Sequence, residues 1–159
     1  MPAPVSRTYL GSLTLSFVFS VISLGLIAYI CKKGNGGVWP GPNGWGVVVQ
    51  NVFAFAWATF FSLLFLVLSA VAPRSIFGGA AVNFIFIFLA FLQAVAGLGS
   101  YSAVVRDFGI PFSSSIWKAY WGIGWVATFV LLGTALHAGY LYIVGQATPA
   151  PQHKETEHF

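Results

Sequence analysis

From Gly78 to Val105 the chain reads GGAAVNFIFIFLAFLQAVAGLGSYSAVV, without one charged side chain. At about 1.5 Å of rise per residue, a helix of this length exceeds the roughly 30 Å hydrocarbon core of a bilayer. The rest of the sequence is built the same way. Only 6% of its residues are charged and 58% are hydrophobic, with a mean hydropathy of +0.85. A soluble domain carries roughly 25% charged residues, so this chain has too few to cover a globular surface in water. It reads as an integral membrane protein.

Three further apolar segments flank the first. Together they predict an all-α integral membrane protein, a four-helix antiparallel transmembrane bundle with spans near 8–31, 45–72, 77–105 and 116–144. Residues 1–7 form a short N-terminal arm, 8–145 the four-span membrane domain and 146–159 a polar C-terminal tail expected to be disordered. The segment Lys32 to Gly44, KKGNGGVWPGPNG, reads as a loop because Pro-Asn-Gly is a turn signal. Its glycines are not a phosphate cradle, since no strand precedes them and no Gly-Lys-Ser/Thr follows. Pro73-Arg74-Ser75 closes the second span, and the short link makes spans two and three an antiparallel hairpin. A serine run at the end of Arg106 to Ser115 is placed to cap the fourth helix. Trp117, Lys118, Tyr120 and Trp121 mark its membrane entry, and Tyr140 and Tyr142 its exit.

Helix association in lipid has no hydrophobic drive and depends on close packing and polar contacts. Ser12, Ser16, Ser20 and Ser23 recur at helical spacing and share a face. Ala54, Ala58 and Ser62 form a second small-residue row. The third span has a bulky half, Asn83 to Phe91, and a small-residue half, Gln93 to Ala103, with Ala90/Ala94, Ala96/Ser100 and Gly99/Ala103 at four-residue spacing. Ser16, Ser20, Asn83, Gln93, Gly97 and His137 are therefore the expected packing and interhelical polar positions. Gln50 and Asn51 are placed near head-group depth.

Chemistry is sparse. The spans contain one histidine, His137, and no Asp, Glu, Lys or Arg beyond their edges. No catalytic pair, no metal set and no cofactor site is expected, and a transporter would need buried charge that the spans lack. A neutral imidazole at His137 has one donor and one acceptor to satisfy, so a structural tie to a hydroxyl of helix one, a backbone carbonyl, Asn83 or Gln93 is expected. The single cysteine, Cys31, beside Lys32 and Lys33, is a candidate for lipidation, with an inert packed thiol as the alternative. Basic residues lie near span edges and do not cluster, which excludes a nucleic-acid site. They fall almost evenly on the two sides, Arg7, Arg74 and Lys154 against Lys32, Lys33, Arg106 and Lys118, so charge does not orient the chain.

Phe17 to Ile30, FVFSVISLGLIAYI, and Asn83 to Phe88 followed by the small-residue half to Ser102 resemble the first and third helices of the fungal MARVEL-domain proteins, in particular the group around non-classical export protein 2. The short hairpin between spans two and three fits as well, and the likeness runs over nearly all of Thr8 to Val144. The resemblance implies a four-helix membrane bundle with both termini cytoplasmic and a plasma-membrane location. It implies no enzyme activity and a role in membrane apposition, vesicle traffic or microdomain organisation. Membrane lipids, other copies of the chain or other membrane proteins are the expected partners. The alternatives are an accessory subunit of a larger membrane complex and a small channel or transporter.

Overall fold

A computed structural model describes residues 7–34, 41–71, 79–107 and 115–147. Apart from Gly79, these residues form four helices: α1 (Arg7–Gly34), α2 (Gly41–Val71), α3 (Ala80–Asp107) and α4 (Ser115–Ala147). No strand occurs among the described residues. Each helix contains a segment long and apolar enough to cross a membrane: Arg7–Lys32, Gly46–Val71, Ala80–Val104 and Ile116–Val144. The shortest helices have 28 residues, or about 42 Å.

The helices pack in a ring, α1 on α2, α2 on α3, α3 on α4 and α4 back on α1. Contacts along three of these seams run in opposite directions on the two partners, which fixes the direction of the fourth. Phe61 meets Phe86 while Asn51 meets Gly97. Leu98 lies beside Gly124, and Phe84 beside Gly139. Ser16 meets Thr134 and Tyr9 meets His137. The bundle is therefore antiparallel, and Arg7 and Ala147 lie at the same end.

What the helices bury follows one rule. On α1 the interior residues are Tyr9, Leu13, Ser16, Ser20, Ser23, Ile27 and Ile30. On α2 they are Val48, Asn51, Phe55, Ala58, Ser62, Phe65 and Ser69. On α3 Asn83, Ile87, Ala90, Ala94, Gly97 and Tyr101 face inward, and on α4 Tyr120, Gly124, Ala127, Leu131, Thr134 and Ala138 do so. Along these rows every step is three or four residues, alternating, with Ala54, Leu98, Thr128 and Ala135 buried beside them, which is the 3.5-residue repeat of helices that cross at about 20° and interlock side chain into gap. The outward faces carry large apolar residues instead, among them Leu15, Ile22, Phe53, Phe60, Leu92, Phe129, Leu136 and Ile143. The buried polar side chains lie on the inner faces together with Leu13, Ile27, Phe55, Phe65, Ile87 and Leu131, while the outer faces are largely apolar, as expected where lipid replaces water as the solvent.

Several element boundaries differ from the sequence reading; α1, for one, runs on through Lys32 and Lys33 to Gly34. Helix α2 begins at Gly41, so the Gly-Pro-Asn-Gly segment is its first turn and not part of a loop. Pro42 is tolerated there because the first-turn N–H groups have no helical acceptor in any case. Helix α4 runs on through Gln146 to Ala147, past the expected start of the tail. The arm at 1–6, Trp39, Pro73-Arg74-Ser75, the centre of the third loop and the tail at 148–159 lie outside the described residues. The small-residue rows divide as well. Ala54, Ala58 and Ser62 all face inward, as do Ala90 and Ala94, but Ala96 and Gly99 are exposed, and Ser100 and Ala103 are only half-buried.

Aromatic side chains lock two of the seams. Between α2 and α3, Phe61 stacks on Phe86 with centroids 4.6 Å apart, and Trp57 stacks on the same ring at 6.4 Å. At the other end of the bundle Tyr101 stacks on Trp117 at 5.8 Å and meets Tyr120 edge-on at 5.1 Å. Such pairs add about 0.5–1.5 kcal/mol each beyond the area they bury.

Candidate functional site: a buried polar seam

Among the described residues nine polar side chains are buried: Ser16, Ser20, Ser23, Asn51, Ser62, Ser69, Asn83, Thr128 and Thr134. They are not spread evenly in what they bond. Two networks stand out, and several other buried polar groups are unbonded among the described residues.

Asn51 is the centre of the first network. Its Nδ2 donates to the Val47 carbonyl at 2.7 Å and to the Gly97 carbonyl at 2.9 Å. Its Oδ1 accepts from the Tyr120 hydroxyl at 2.7 Å. Carbonyls only accept, so both neighbours on that side require the NH₂ group there and fix the amide's orientation. One side chain thus ties α2 to α3 and α4. Gly97 is what lets the two backbones come this near. A Cβ on Gly97 would lie 2.9 Å from Asn51 Oδ1, inside van der Waals contact. The expectation of a packing role for Gly97 has this specific basis. One placement from the sequence is corrected: Tyr120 does not face the interface but is a buried hydrogen-bond donor, while Asn51, near the start of the Gly46–Val71 span, is fully buried between helices.

The second network joins α1 to α4. Ser16 Oγ and Thr134 Oγ1 are 2.8 Å apart. Thr134 Oγ1 also reaches the Val130 carbonyl at 2.9 Å and the Ser12 carbonyl at 3.2 Å. Its one proton goes to those carbonyls, so Ser16 is the donor in the hydroxyl pair. Replacing Thr134 by valine keeps the shape and removes the oxygen. A loss of about 0.6–1.7 kcal/mol is expected, the range of interhelical hydrogen bonds in membranes, measured as reduced unfolding free energy in detergent titration. Ser16→Ala should lose no more than this, and the double variant should lose less than the sum.

The other expected polar positions have different fates. Ser20 is fully buried, but its hydroxyl has no hydrogen-bond partner among the described residues, and Ser23 and Ser62 are alike. Gln93 is half-buried on α3, with its Oε1 enclosed and unbonded. Asn83 is fully buried, and neither end of its carboxamide is bonded. Cys31 is half-buried and packs against the core cluster.

His137 is half-buried on α4. Its ring meets Tyr9 of α1 edge-on, with centroids 5.5 Å apart, so its tie to helix one is an aromatic contact. His137→Gln is expected to leave the fold intact, whereas His137→Leu should weaken packing by roughly 1 kcal/mol. Thermal unfolding of the two variants side by side measures this. Full stability in both, with loss of a measured flux or turnover, would instead make His137 a working group.

Sequence reasoning missed Asn51, Tyr120, Tyr9 and Thr134 as members of the seam. The three-four spacing through each of them was the available signal. Among the described residues no group of three or more His, Cys, Asp or Glu side chains is placed to hold a metal ion. No protein-family description, characterised protein or solved structure matches this chain.

Proposed function

We propose that this protein is a non-enzymatic organiser of membranes, acting through the outer faces of its helices on lipids, on further copies of itself or on other membrane proteins. The observation that carries this reading is the division of labour between faces. The interior combines apolar residues such as Leu13, Phe55 and Leu131 with polar side chains that bond across helices, as at Asn51 and at Ser16–Thr134. The exterior presents bulky apolar and aromatic residues, among them Phe53, Phe60, Phe129 and Tyr140. A surface of this kind has nothing to offer a polar substrate and much to offer acyl chains and apolar helices. The MARVEL-like pattern of the first and third helices agrees with it. That resemblance is also the ground for placing the protein in the plasma membrane with both termini in the cytoplasm.

The test is isolation from native membranes with lipids retained, followed by mass measurement of the assembly. A range of self-associated or lipid-rich species is expected, together with no solute flux in proteoliposomes. One fixed stoichiometric complex with other chains would make the protein an accessory subunit. Flux above that of empty liposomes would make it a channel or transporter.

A further inference from the structure

Gln93 lies at the middle of the Ala80–Val104 span, a depth at which acyl chains offer no hydrogen-bond partner. Its side chain is half-buried, and its Oε1 is unbonded among the described residues. The carboxamide of Asn51, by contrast, is bonded at both ends within one chain. Gln93 follows Phe86 by two helical turns, and the Phe86 ring stacks on Phe61. It therefore stands on the α2 flank of α3, between the helix seam and the lipid side. Its last side-chain bond turns with little resistance, so either end of the carboxamide can be presented to the membrane.

The residues in line with it complete a seam. Leu89, Gln93, Ala96, Ser100 and Ala103 alternate steps of four and three, the repeat by which helices interlock. This row is separate from the inward one through Ala90, Ala94 and Gly97. Leu89 and Ala96 are exposed, and Gln93, Ser100 and Ala103 are half-buried. Past Gln93 the side chains are short, which lets another helix come close. We propose that this row is where a second copy of the chain docks, α3 against α3, about a two-fold axis along the membrane normal. The proposal rests on the membrane-organiser reading and names the partner of one outer face. Two copies inserted the same way round bring equal residues together at equal depth. Each Gln93 carboxamide then meets its own equivalent, and a carboxamide both donates and accepts, so it is complementary to itself. The Ser100 hydroxyl, two turns on, is complementary to itself in the same way. Acyl chains can satisfy neither group, and an unrelated helix would need a polar side chain at this same depth.

Cross-linking of the full chain in membranes tests this, with the native thiol removed by Cys31→Ser. Ala96→Cys lies on the proposed axis and is expected to form a disulfide-linked dimer on mild oxidation. Val126→Cys is the control for chance collision. It is exposed on α4, and the Leu98–Gly124 and Phe84–Gly139 contacts set it at the depth of Ala96. Dimer from Ala96→Cys should exceed that from Val126→Cys several-fold. Adding Gln93→Leu, which removes the carboxamide, should lower it to the control level while thermal unfolding of the single chain is unchanged. If that variant does not fold, Gln93→Met serves the same purpose. Equal cross-linking at Ala96 and Val126, a disulfide to a different protein, or undiminished dimer in a folded Gln93 variant would each overturn the proposal. Self-associated species by mass together with an unlinked Ala96→Cys would remove this face and leave the broader reading of the protein standing.

Discussion

Gly97→Leu is expected to be the most damaging single substitution in the protein, with a loss of about 3 kcal/mol, at the upper end of what overpacking costs. A Cβ at this position already falls 2.9 Å from Asn51 Oδ1 and 3.1 Å from its Cγ. The asparagine cannot swing away cheaply, because three hydrogen bonds hold it. A leucine must therefore push α2 from α3 and break the Asn51–Gly97 bond at once. Gly99→Leu is the matched control. It lies two residues away on the exposed side of the same helix, with open space around its Cβ. A change there should stay within about 0.5 kcal/mol. Gly124→Ala falls between the two, since its added Cβ meets the movable tip of Leu98. Unfolding free energies in detergent order the three variants, and equal losses at Gly97 and Gly99 would refute the packing of α3.

Asn51→Leu should come next, with a loss of roughly 2 kcal/mol, the scale for leaving a buried donor unsatisfied. The side chain keeps its number of heavy atoms but is bulkier, so the loss combines broken hydrogen bonds with some overpacking. The Tyr120 hydroxyl loses its acceptor, and the interhelical bond to the Gly97 carbonyl goes with it. Tyr120→Phe alone should cost about 1 kcal/mol. The double variant should recover part of the sum, because with both polar groups gone nothing buried is left unpaired. Strict additivity would mean that the Asn51–Tyr120 bond does not contribute to stability.

The fold was legible because its signal is coarse: four long stretches without charge leave little choice but four spanning helices. The serine face of α1 was legible too, and Ser16, Ser20 and Ser23 do face inward. Asn51 was missed for a definite reason: its position near the start of the Gly46–Val71 span drew attention to depth, whereas its register on the inner face of α2 is what buries it. Tyr120 followed the usual preference of tyrosine for the interface, which gives way when a buried acceptor such as Asn51 Oδ1 is within reach. The rows Ala96/Ser100 and Gly99/Ala103 failed because small residues occupy both faces of α3 in that half. Four-residue spacing finds a face without saying which way it points. Only the three-four alternation carried across all four helices separates inside from outside.

The most direct measurement of this inside-out arrangement is disulfide trapping in membranes, with the native thiol removed by Cys31→Ser. Ser16→Cys paired with Thr134→Cys should cross-link readily on mild oxidation, since the replaced oxygens are 2.8 Å apart and disulfides need close, facing positions. Val18→Cys paired with Leu136→Cys, two residues further along each helix and both outward, should remain reduced within one chain. A cross-link in the second pair and none in the first would contradict the seam that orders the whole bundle.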